Sequence, residues 1–205
     1  MVNQHSLRSL DFKCGLSRII RIRHAPLSPF HLLLMTVEIF VLRLVHIVGG
    51  MFWVGSVLFT SMFLVPALAT SGVNTGQVFA ALQRRRYFMV GPLIATLTVA
   101  SGLRLIWITS AGFDPSYFAS ATGRTFAASG TAAIVAFLLT LVVIRPTAAR
   151  QARLGGELAG APEPTRAGLA LELARLRRRG AVASAVAQTL LVLGAAGMAV
   201  ARYVA

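Results

Sequence analysis

The chain has a single cysteine, Cys14, which rules out an intrachain disulfide and any multi-cysteine metal site. Acidic residues number six and lie mostly between apolar runs, leaving no intramembrane carboxylate pair for a proton relay. Charged residues make up 13% of the 205 positions, against about 25% in an ordinary soluble domain. The serine–histidine–acid pattern, HExxH and a phosphate-binding glycine loop are all absent. Period-two alternation is missing too, and no repeat of 20–50 residues stands out. Strand architectures and the common motif-bearing enzymes are therefore poor fits.

What is present is apolar. The chain is 56% hydrophobic with a mean hydropathy of +0.74. Four runs are long enough for bilayer-crossing helices, roughly 37–68, 87–109, 125–144 and 181–203. Span one ends near Pro66, span two has Gly91-Pro92 near its start, and span three is followed at once by Arg145-Pro146. Proline at position 92 is expected to kink its helix. The expected fold is all-α, an integral membrane four-helix bundle formed by residues 35–205.

The net charge of +14 sits beside these runs. The arginines are not interleaved with aromatics and no nucleic-acid motif accompanies them, so a nucleic-acid partner is not expected. The positive-inside rule and lipid headgroups account for them instead. One set of loops holds Arg84, Arg85, Arg86, Arg145, Arg150, Arg153, Arg166, Arg175, Arg177, Arg178 and Arg179. That side is expected to be cytoplasmic, with both ends of the bundle facing outward, in a bacterial inner membrane.

Residues 1–34 conflict with this topology. Their five basic residues, Arg8, Lys13, Arg18, Arg21 and Arg23, would lie on the wrong side. No secretory signal fits there. The segment reads either as an upstream extension of the gene or as a cytosolic tail, and a start at Met35 removes the conflict.

Between spans three and four, Arg145–Leu154 can continue helix three. GGELAGAPEP (155–164) is the expected breaker, and Thr165 a plausible N-cap for the following run. Leu169, Leu173 and Leu176 form one helical stripe in that run. Two arrangements fit residues 145–180. One is a cytoplasmic helical hairpin projecting about 15 Å. The other is an amphipathic segment lying on the membrane surface.

The chemistry-bearing residues gather in span one. His46, Gly50, Trp53, Val57 and Thr60 share one helical face. Small residues beside His46 permit close helix approach, or leave room for a flat ligand. His46 is thus either bonded to a partner helix in a packing groove or a cofactor or metal ligand. Arg43 and Arg104, at similar depth, either pair with Glu38, bind an anionic group such as a propionate or phosphate, or snorkel to the interface. Trp107 and Tyr203 fit an aromatic belt. Gln188 is expected to make an interhelical hydrogen bond. Met51 and Met62 lie about 140° and about 160° round the helix from His46, so they do not converge on it for copper. Met198 falls near the outer end of span four. The other histidines, His5, His24 and His31, all precede span one. A transporter would need an aqueous path, which the poverty of intramembrane polar groups argues against in a monomer.

LRLVHIVGGMFWVGSVLF, followed by Pro66, resembles the first helix of small membrane proteins related to the copper-resistance D (CopD-like) domain. RRRYFMVGPLIATLTVASGLRLIW resembles their second helix, and spans three and four are similar only in hydropathy. The resemblance implies a four-helix fold and an association with copper. The distantly similar HemJ-type protoporphyrinogen oxidases use a first-helix histidine with haem, and His46 matches that position. This chain departs from them in reading LFTSMFLVP where they carry tyrosine-leucine-proline-arginine, and in having no lysine in span two.

Two functions follow as expectations. The first is a multi-pass membrane protein associated with haem b or copper through His46, with Gly50, Trp53, Arg43 and Arg104 around the group. The second is a non-enzymatic membrane subunit without cofactor. It would assemble through the glycine face of span one, with a second copy or with a partner membrane protein among the lipids.

Overall fold

The computed structural model describes Pro29–Val73 and Thr75–Val204, with side chains from Leu33 onward apart from Thr75. Most of the expected tail, with Cys14, His5 and His24, lies outside the described residues. All regular structure among the described residues is helical. Four helices are long and apolar enough to cross a membrane: Leu33–Thr70, Tyr87–Thr109, Ala121–Gly160 and Glu163–Tyr203. The chain divides into two compact units, Met1–Ile39 and Phe40–Ala205. In the first, the described part is the opening of a helix; the second holds the bundle.

Helix α1 (Pro29–Phe59) runs through a π turn, Thr60–Leu64, into α2 (Val65–Thr70). Helix α3 (Thr75–Arg84) follows, then α4 (Tyr87–Thr109), the short α5 (Pro115–Ala119) and α6 (Ala121–Leu139). A second π turn, Thr140–Ile144, joins α6 to α7 (Arg145–Gly160), and α8 runs from Glu163 to Val200.

The helices outrun the expected boundaries. Span one was expected to end near Pro66, yet the chain continues as helix to Thr70; past Pro146 the helix continues as expected, but to Gly160 rather than Leu154. Each proline falls in the first turn of the helix that follows a π turn. There its missing N–H costs no intrahelical bond, and the π turn moves the carbonyl with which the ring would clash. The backbone N–H of Val65 closes onto Thr60 O, and that of Arg145 onto Thr140 O, each spanning five residues. Helix α4 likewise runs unbroken through Pro92. The expected loop 69–86 carries α3, a complete short helix.

The breaker at 155–164 is much narrower than expected. Helix α7 absorbs Gly155 and Gly156 and ends at Gly160, and α8 starts at Glu163 with Pro162, not Thr165, before it. Two glycines cost an isolated helix about 2 kcal/mol relative to alanine. Packing of α7 against α8 offsets that. Leu154 and Leu173 are buried, Gln151 Nε2 donates to Leu176 O at 2.9 Å, and Arg150 is bonded to Glu172. Residues 145–180 thus form a paired helical hairpin. Helix α8 has 38 residues, about 57 Å at 1.5 Å each. A hydrocarbon core is about 30 Å thick, so α8 is nearly twice as long as one crossing needs.

Helices α6 and α8 make the tightest crossing. A Cβ added at Gly197 would sit 2.2 Å from Ser129 Oγ, and one at Gly194 would sit 3.0 Å from Ser129 O. Membrane helices associate through such van der Waals contact, because lipid removes the hydrophobic drive. Trp53 packs edge-on against Phe137 with ring centroids 6.0 Å apart, tying α1 to α6. Thr60 Oγ1 and Tyr87 Oη share a 2.9 Å hydrogen bond between the first rod and α4.

Candidate functional site: a cleft walled by His46

A cleft of about 830 Å³ opens between α1, α4 and α6, at the end of the bundle away from the arginine hairpin. That volume lies within the range of roughly 300–1,000 Å³ usual for small-molecule sites. Its walls are mostly aliphatic and aromatic. The polar groups among them are few: His46, Arg43 and Arg202, with Thr98, Thr109, Thr131 and the Tyr117 hydroxyl.

His46 is held by two features of α4. Its Nδ1 lies 2.8 Å from Thr98 O. A carbonyl oxygen can only accept, so Nδ1 carries the proton and Nε2 keeps its lone pair in the neutral ring. Nε2 has no hydrogen-bond partner among the described residues. The second feature is Gly102. A Cβ there would stand 2.6 Å from His46 Cε1, so the imidazole occupies space that any other residue would take. One turn away, Gly49 lets Thr98 approach: a Cβ there would lie 2.6 Å from Thr98 Oγ1.

The rim is built by a strained turn after α4. Ala111, Gly112 and Phe113 all adopt positive φ, 50°, 84° and 67°. For the two non-glycines this costs about 1–2 kcal/mol each. Surrounding bonds fix it: Phe113 N–H donates to Ser110 Oγ at 2.9 Å, and Gly112 N–H to Trp107 O at 2.9 Å. The turn sets Phe113 edge-on to Trp107 and stacks it with Phe118, at centroid distances of 5.2 and 6.3 Å. Phe113, Tyr117 and Phe118 thereby line the cleft. Asp114 then caps α5, its Oδ1 accepting from Ser116 N–H at 2.7 Å; hydrogen bonding from the Ser116 side chain, and then from its backbone, draws the Asp114 pKa below the usual aspartate value.

The sequence-picked residues separate here. His46, Arg43 and Trp53 line the cleft, Trp53 being also buried in the core. Gly50 lies against Thr98 Cγ2, where a Cβ would be 3.6 Å away, in the packed contact between α1 and α4. Arg104 is not among the lining residues. At 100° per residue it lies about 200° round α4 from Gly102, so shared depth did not mean a shared face. Val57 packs against the core cluster and Thr60 bonds Tyr87, so the whole stripe from His46 to Thr60 faces inward. The packing reading of His46 is met in that it bonds a neighbouring helix, and the same side chain also lines the cleft. Trp107 and Tyr203 are exposed, at 47% and 80%. Gln188 makes no hydrogen bond among the described residues, contrary to expectation. The polar bonds between helices come instead from His46, Thr60, Gln151 and the Arg150–Glu172 pair.

Four contributors were not assigned to the site from the sequence, although Met198 was placed near the outer end of span four. Met198 and Arg202, from the far end of the chain, line the same cleft as His46. Thr122 Oγ1 donates to Val204 O at 3.1 Å and holds that end in place. Gly102 gave no signal, because a glycine's meaning depends on what stands over it. No three His, Cys, Asp or Glu side chains converge among the described residues.

The chain was compared with protein-family models, curated proteins and solved structures, and no family model, curated protein or solved structure matches it.

Proposed function

We propose that this multi-pass membrane protein holds a flat, amphiphilic, anionic group in the His46 cleft, and that the group is haem b. One observation carries the reading. The Nδ1–H···O=C bond to Thr98 leaves Nε2 as the basic nitrogen at the wall of an 830 Å³ apolar cleft. A histidine ligand is held in this way, with its second nitrogen donating to a carbonyl that fixes tautomer and ring orientation. Arg43 and Arg202 are suited to pair with two carboxylates, while the aromatic rim and Trp53 enclose an apolar macrocycle. When bound, haem would supply one-electron redox chemistry. The chain's own part is to fix the ligand nitrogen, neutralise the carboxylates and exclude water.

Copper is served less well, since the soft or borderline donors lining the cleft are His46 and Met198. The first-helix resemblance to CopD-like and HemJ-type proteins supports a histidine-centred role without choosing between the two groups. By the positive-inside rule the arginine hairpin faces the cytoplasm and the cleft opens on the outer side of a bacterial inner membrane. The second reading is a cofactor-free partner subunit. It has less of the glycine face to use, because Gly49 and Gly50 already meet Thr98 within the chain, and Gly55 is the part still open.

The test is an absorption spectrum with metal analysis on detergent-purified protein, expressed with haem and copper supplied, beside His46→Ala. A Soret band in the parent that disappears in the variant is expected. A colourless, metal-free parent would overturn the cofactor reading, and stoichiometric copper without a Soret band would replace haem by copper.

A further inference from the structure

Helix α8 carries a second feature that the cleft does not use. The aliphatic stems of Arg175, Arg178 and Arg179, with Val182 and Ala183, line a shallow apolar concavity of about 440 Å³. Their spacing of 3, 1, 3 and 1 is that of one helical stripe. At 100° per residue, Arg175, Arg179 and Val182 lie about 180–240° round the helix from Leu173, which is buried toward α7. The stripe therefore faces away from the hairpin partner.

Among the described residues nothing neutralises the three guanidiniums. The hairpin has three acidic residues, Glu157, Glu163 and Glu172. They are bonded to Arg153, Arg166 and Arg150 respectively. Arg175, Arg178 and Arg179 make no ion pair among the described residues. Directly below them the apolar part of α8 begins, with Val182 59% exposed. Charge and apolar surface thus meet on one face.

We propose that this stripe is a binding site for one anionic phospholipid, its phosphate held by Arg175, Arg178 and Arg179 and its acyl chain lying along Val182 and Ala183. Guanidinium groups bind phosphate through paired N–H donors, which a general field of positive charge does not require. A free phosphate ion would use the arginines alone and leave Val182 and Ala183 without a role.

The site is tested on the full chain by native mass spectrometry from detergent, with added phosphatidylglycerol or phosphatidylcholine. The parent should retain one phosphatidylglycerol and little phosphatidylcholine. Arg175→Gln/Arg178→Gln/Arg179→Gln should weaken retention on the order of 100-fold, at about fivefold per arginine near a membrane surface. Arg84→Gln/Arg85→Gln/Arg86→Gln removes the same charge and should leave it unchanged. The triple lysine variant at 175, 178 and 179 keeps charge and fold and should still lose roughly tenfold, because ammonium cannot make the paired contact. Equal loss in the two glutamine triples, wild-type affinity in the lysine triple, or displacement of the lipid by an equal concentration of inorganic phosphate would each overturn the proposal.

Discussion

Two helix crossings in this bundle use small residues for different ends. Where α6 crosses α8, Gly194 and Gly197 admit Ser129 and the space is filled by backbone and a short side chain. Where α1 crosses α4, Gly49 admits Thr98, while Gly102 makes room for a whole imidazole and the contact opens into the cleft. Small residues at a membrane interface therefore do not by themselves signal tight packing. What stands over each glycine decides whether it serves stability or a site.

The filled crossing should break hardest. Gly197→Leu would drive a branched side chain into Ser129 and should cost about 3 kcal/mol, at the upper end of overpacking penalties. Detergent-resistant folding, followed by thermal unfolding of the purified protein, would read it. Gly197→Ala should cost about 1–3 kcal/mol. Adding Ser129→Ala should recover most of that loss, since the next nearest atom, Ser129 Cβ, is 3.5 Å from the added methyl. Failure of the double variant to recover would mean that the crossing is not limited by this contact.

The open crossing should answer in the opposite way. Gly102→Ala places a methyl 2.6 Å from His46 Cε1. It should expel the ring and break its bond to Thr98, while alanine's helix preference, worth about 1 kcal/mol, supports α4. Thermal stability should hold while affinity for the haem proposed for the cleft falls about 10- to 100-fold, as when a ligand's supporting contact is lost. Imidazole nitrogen NMR shifts would report the displaced ring. A parallel loss of stability would show that the two crossings do the same job after all.

The smallest effect belongs to the rim. Asp114 has its pKa lowered by accepting from Ser116. A depressed carboxylate contributes stability that is present above its unfolded pKa and lost as pH falls through the folded one. Amide exchange in α5 should therefore quicken only in strong acid. In Asp114→Asn, which still caps a helix, that acid dependence should flatten.

Much of this was legible in the sequence, for physical reasons. Four apolar runs predicted four membrane-length helices because backbone polar groups in lipid must be satisfied within the helix. The stripe from His46 to Thr60 followed from helical period alone. Helix ends were harder. Pro66, Pro146, Gly155 and Gly156 carry local signals for stopping, and π turns and hairpin packing outweighed them. Arg104 was matched to the site by depth, which hydropathy gives, and missed it by angle, which depends on how α4 is rotated. Met198 and Arg202 reach the cleft only through the return of the chain, which no local pattern encodes.

The π turn at Thr140–Ile144 has a consequence for insertions and deletions. A π turn accommodates one residue more than the α-helix around it. Deleting one residue from it would restore a regular helix and leave the downstream phase nearly unchanged, because the wide turn spends five residues on about the rotation that four make in an α-helix. Arg150 would stay beside Glu172. A deletion in the regular helix on either side has no such reserve and would rotate everything downstream by about 100°. The π turn is thus a place where this rod can change length by one residue and keep the pairing of its arginine-bearing part, so homologous rods could differ by an indel there without changing partners.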